Sequence, residues 1–137
     1  MRSICHALML SATCVLANCK SSTGPQCVAL PTVLTPAILL RVRDTQTNAL
    51  VASNVTVYVR ATAATPWSLT VQTSADPQVD PQPIMIGQSS GTYLIRVAKP
   101  GYSEWLSAAI SVAETSTGGC YGAPVTVSIE ADLQKST

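Results

Sequence analysis

GTYLIRVAKPGYSEW, residues 91–105, decides how the chain is read. Tyr93, Ile95 and Val97 alternate with Leu94, Arg96 and Ala98, the period of a half-buried strand. Pro100-Gly101 then predicts a turn, because proline presets φ near −65° and glycine accepts positive φ at the next position. A second strand is expected from Trp105 onward. The same pattern recurs outward in both directions. Val55, Val57 and Val59 share a face in NVTVYVR (54–60), and SLTVQ (68–72) repeats the alternation. Further runs lie at 37–44, 83–87 and 106–113, and Val125, Val127, Ile129, Ala131 and Leu133 alternate in the last. Seven short alternating strands within roughly 100 residues predict an all-β fold, an antiparallel β-sandwich.

Composition agrees. Thr, Ser and Val are abundant and Phe is absent, which leans toward extended backbone. Charged residues make up 11% of the 137-residue chain, and 8 basic against 7 acidic side chains leave no field to attract nucleic acid. No nucleic-acid partner is expected.

MRSICHALMLSATCVLANCK opens with one positive charge at Arg2, followed by an apolar run from Ile4 to Ala17. That run is shorter than the ~20 residues a spanning helix needs, so residues 1–18 read as an export signal. Residues 19–35 then form a tether that includes KSSTGPQ, and 36–134 the folded domain. Leu16-Ala17-Asn18-Cys19 resembles the lipobox of bacterial lipoproteins, in which the cysteine carries the lipid (diacylglycerol and palmitate). Val15-Leu16-Ala17 is an alternative cleavage site that leaves Cys19 as a free thiol in a secreted or periplasmic protein. If Cys19 is lipidated, as the lipobox resemblance implies, Cys27 and Cys120 remain as a disulfide pair outside the cytosol. The expected partner on that reading is a cell-envelope membrane, the outer one rather than the inner, reached through Cys19.

Three stretches together resemble the carboxypeptidase regulatory-like family of transthyretin-like β-sandwiches. They are LLRVRDTQTNALVASNVTVYV (39–59), GTYLIRVAKPGY (91–102) and the distal Cys120. The resemblance spans about residues 37 to 133 and implies a binding or scaffolding domain without catalytic residues. Transthyretin-like folds also include a hydrolase of ureide metabolism that uses histidines and ends in Tyr-Arg-Gly-Ser. This chain ends LQKST, so that activity is not carried over.

The only histidine, His6, lies in the expected signal, which leaves Ser-His or Cys-His chemistry without its base. Neither catalytic residues nor a cofactor are expected. Seven carboxylates remain, at Asp44, Asp76, Asp80, Glu104, Glu114, Glu130 and Asp132. Asp76 and Asp80 share the proline-rich loop 74–83, too few oxygens for calcium, and read as a solvated loop. Trp67 and Trp105 are the candidate ligand-binding residues. Each either stacks on a glycan or closes a core that has no Phe. The expected function is a non-catalytic binding or scaffolding module with an unidentified protein or glycan ligand. The alternative is a glycan-binding sandwich that uses Trp67 or Trp105.

Overall fold

A computed structural model describes residues 34–76, 83–115 and 122–137. The expected signal, Cys19, Cys27, Asp80 and Cys120 lie outside the described residues, as does any bridge between the two later cysteines. Among the described residues the fold is all-β, with eight strands in two sheets. They are β1 (Ile38–Asp44), β2 (Thr56–Arg60), β3 (Ser68–Gln72), β4 (Ile84–Ile86), β5 (Gly91–Ala98), β6 (Trp105–Leu106), β7 (Ile110–Val112) and β8 (Val127–Leu133). The smaller sheet runs β4-β1-β8. The larger runs β3-β2-β5-β6, with β7 also on β5.

Alternation builds the core. From the small sheet, Ile38, Leu40, Val42, Ile84, Ile86, Ala131 and Leu133 point inward. From the large sheet, Val55, Val57, Ile95, Val97 and Val112 meet them. Tyr93, Val59, Val71 and Trp105 pack around that cluster and supply the bulk that phenylalanine does not. Val57, Val59, Tyr93, Ile95, Val97, Ala131 and Leu133 sit on the faces expected from alternation, whereas in SLTVQ the expected shared face breaks at a bulge that leaves Val71 inward and Leu69 exposed. Val125 departs from the pattern: it lies before β8 begins and is exposed.

All strand pairs are antiparallel but one. β1 and β8 run parallel, Ile38 opposite Val127 and Asp44 opposite Leu133, where a wholly antiparallel sandwich was expected. Between β7 and β8, Thr115 N–H donates to Ala123 O and Val125 N–H to Ala113 O, and the chain then enters β8 on the small sheet.

The eighth strand comes from a break in the expected run 106–113. Ser107 N–H donates to Ile95 O at 2.9 Å, so Ser107 lies opposite Ile95, yet Ile110 pairs with Tyr93. Three steps along one strand match two along the other, which is a β-bulge. At the bulge the Ser107 hydroxyl, rather than its carbonyl, accepts the Ile95 N–H at 2.8 Å. The extra residue keeps Trp105, Ser107, Ile110 and Val112 on the inner side.

One end of the sandwich is held by a buried carboxylate. Asp44, 2% exposed at the end of β1, accepts the N–H groups of Gln46 and Thr47 on Oδ1 at 2.8 and 3.0 Å. Its Oδ2 accepts the Tyr102 hydroxyl at 2.8 Å, with Lys135 Nζ 3.7 Å away. These bonds stabilise the charged form, Tyr102 most, and hold the carboxyl at about 2 against an ordinary value of 3.8, while the Tyr102 phenol is pushed up. Tyr102 itself follows the turn at Pro100-Gly101, closed by Tyr102 N–H to Lys99 O at 3.1 Å with Gly101 at φ +80°. Asp44 therefore ties β1, the β5–β6 turn and the C-terminal segment together.

Candidate functional site

The large sheet leaves one face to solvent, and register places its side chains in rows. Tyr58 on β2 stands opposite Leu69 on β3 and Arg96 on β5, and Arg96 stands opposite Leu106 on β6. The row reads Leu69, Tyr58, Arg96, Leu106. Beside it, Arg60 pairs with Leu94, and Trp67 precedes β3 on the same side. A bulge at Thr70 keeps this face aligned: Val57 faces Val71 inward, while the next residue, Tyr58, faces Leu69 outward.

Arg60 and Arg96 dominate the face. The Arg60 guanidinium lies 4.1 Å from the Trp67 ring centroid, and that of Arg96 lies 4.2 Å from Tyr58 and 5.3 Å from Trp67. Each such contact contributes on the order of 0.5–1 kcal/mol at an exposed site. Arg60 also donates to Ala63 O at 3.0 Å. Arg96 makes no hydrogen bond or ion pair among the described residues, and its Nε is shut away from water without a partner. The rings hold both guanidinium groups at the sheet surface, and the Arg96 side chain has no hydrogen-bond partner among the described residues. Leu69 and Leu106, at the two ends of the row, are 57% and 61% exposed.

The two tryptophans separate. Trp105 stands opposite the core residue Val97 and packs half-buried on the inner cluster, as a core-closing residue does. Trp67 is half-buried on the outer face between the arginines. Alternation had marked Arg96 as outward but drew no attention to either arginine. The signal was present in the strand-period positions of Arg60 and Arg96, but their convergence depends on the β2–β5 register.

The opposite outer face, on the small sheet, differs in kind. Arg43 pairs with Glu130 at 3.2 Å, and Arg41 stands opposite Glu130 in the register, so its charges are mixed. No group of three or more His, Cys, Asp or Glu side chains gathers among the described residues. Asp44 has both oxygens committed to holding the turn, as described above. No family model, curated protein or solved structure matches this chain.

Proposed function

We propose that the chain is a non-catalytic binding or scaffolding module of the cell envelope, of carboxypeptidase regulatory-like type, whose working surface is the outer face of the large sheet. Lipid at Cys19 would hold it on a membrane, and residues 20–26 would space the sandwich from that membrane. The observation that carries the reading is the row Leu69, Tyr58, Arg96, Leu106 with Trp67 and Arg60 beside it. Trp, Tyr and Arg are the side chains that dominate binding hot spots, and exposed leucines flank them here. The family type rests on the resemblance of 39–59 and 91–102, two stretches that meet where the Tyr102 hydroxyl donates to Asp44.

A photo-crosslinking residue placed at Leu106, and separately at Arg41 on the other outer face, tests the surface in the native envelope. Adducts are expected from position 106. Adducts from position 41 alone refute the reading. Intact mass after detergent phase partitioning tests the tether: an acylated chain beginning at Cys19 is expected, and an unmodified chain in the aqueous phase removes the anchor.

The second reading, glycan binding, is favoured by the outward placement of Trp67 and draws no support from Trp105. It expects a fluorescence change on adding oligosaccharide that is lost in Trp67→Ala and kept in Trp105→Phe.

A further inference from the structure

The exposed row has a charge and a spacing that together specify an occupant. Its centre is a guanidinium that no described carboxylate answers, because Arg96 has no ion pair or hydrogen bond among the described residues. Within the two rows Leu69-Tyr58-Arg96-Leu106 and Trp67-Arg60-Leu94 there is no acidic side chain and no side-chain amide, although the adjoining row of the same face carries the amide of Gln72 opposite Thr56. Saccharide hydroxyls are usually met by such acids and amides, and these rows offer guanidinium, rings and leucine instead. The planar fork of arginine suits a carboxylate held through two N–H groups, and the contact with the Tyr58 ring, 4.2 Å away, holds it at the sheet surface in advance.

The ends of the row set a length. Leu69 and Leu106 are three strand positions apart, and strands lie about 4.8 Å from one another, so their Cα atoms stand about 14 Å apart. In an extended peptide, side chains on one face recur about every 7 Å, so residues i and i+4 span about 14 Å. Residue i+2 of such a peptide then falls between Tyr58 and Arg96.

We infer that the row Leu69-Tyr58-Arg96-Leu106 is the docking track for an extended peptide segment of a partner protein, carrying Asp or Glu with an apolar side chain two residues to either side. This rests on the proposed binding face and names what that face takes. The carboxylate meets the Arg96 guanidinium, with Arg60 adding positive potential, and the two apolar side chains cover Leu69 and Leu106.

The test is a displayed library of random heptapeptides selected against the mature protein, followed by titration of the recovered peptides. Recovered sequences are expected to carry Asp or Glu with Leu, Ile, Val or Phe at −2 and +2. Changing that acid to its amide should weaken binding about tenfold, the loss of one charge-assisted contact. Arg96→Gln should cost the same about tenfold for the acidic peptide and little for the amide peptide. Arg96→Lys should lie between, because it keeps the charge without the planar fork. Thermal melts confirm that both variants are folded. Peptides that need Leu106 but show no preference for an acid, or are indifferent to Arg96→Gln, overturn this inference and leave the binding face standing. Failure to recover any peptide, or peptides indifferent to Leu106→Ser as well, overturns both. Binding of oligogalacturonate through Trp67 in place of any peptide overturns it in favour of a saccharide ligand.

Discussion

The bulge between β6 and β7 makes a strong and unusual demand on a deletion. Ser107 lies opposite Ile95 and Ile110 opposite Tyr93, with both Ala108 and Ala109 filling a gap that one residue would fill in a regular ladder. Removing Ala109 should therefore join β6 and β7 into one edge strand without changing any partner: Trp105, Ser107, Ile110 and Val112 keep the inner side. The Ser107 carbonyl, turned away at the bulge, would then meet the Ile95 N–H directly. In the natural chain that N–H depends on the Ser107 hydroxyl at 2.8 Å, and Ile95 is fully buried. Ser107→Ala should thus cost about 1–3 kcal/mol, the penalty of a stranded buried donor. In the chain lacking Ala109 the same substitution should cost less than ~0.5 kcal/mol. Urea denaturation of the four proteins closes a double-mutant cycle with an expected coupling of about 1–2.5 kcal/mol. For a domain of about 100 residues each kcal/mol moves Tm by roughly 4–8 °C, so melting curves resolve the effect. Deleting Ser111 is the control. It turns Val112, 3% exposed, toward solvent and should cost roughly 1.5–3 kcal/mol. Equal costs of Ser107→Ala in both backgrounds, or a loss of Ala109 as damaging as that of Ser111, would refute the account.

Other consequences are simpler. The Asp44 carboxyl is held at about 2 in the folded chain, below the ordinary 3.8. Its contribution is thus present above pH ~4 and fades as pH falls from ~4 toward 2. Tyr102→Phe removes the largest cause, so the fall in Tm between pH 4 and pH 2 should be shallower in that variant, from a lower starting point. Gly87 has φ +65°, and a Cβ there would stand 2.8 Å from the Tyr93 hydroxyl. Gly87→Ala should cost about 1–2 kcal/mol from the left-handed backbone alone, plus the clash, and Tyr93→Phe should recover part of it. Leu40, fully buried at the middle of β1, should cost about 2–5 kcal/mol as Leu40→Ala, measured by urea titration.

Much of the fold was legible because alternation is local. Val55, Val57 and Val59, or Tyr93, Ile95 and Val97, declare their face without reference to any partner, and the structure buries them on that face. Pro100-Gly101 is equally local, and its turn forms as expected. Pairing is not local. Nothing in VSIEADL says that its neighbour is ILLRVRD or that the two run parallel, because a parallel pair exposes the same alternation as an antiparallel one. The bulge did leave a trace, the 2-3-2 spacing of Trp105, Ser107, Ile110 and Val112, but a one-residue slip in a short apolar run resembles noise. The candidate face was half legible. Trp67 was singled out for its indole, whereas Arg60 and Arg96 gain meaning only when β2 and β5 are laid side by side. Asp44 looked like one carboxylate among seven, since two of its partners, Tyr102 and Lys135, are distant in sequence.

The parallel pairing also sets the order in which the chain can fold. β1 supplies Ile38, Leu40 and Val42 to the middle of the core, and its longest partner is β8, nearly at the C-terminus. A chain emerging N-terminus first therefore carries this core strand with only the three-residue β4 as a strand partner until the last strand arrives. Contacts of such sequence separation are slow to form, because a long loop must close before they stabilise anything. The sandwich is therefore expected to close only once β8 is available, so a chain cut short before β8 should show no cooperative urea transition.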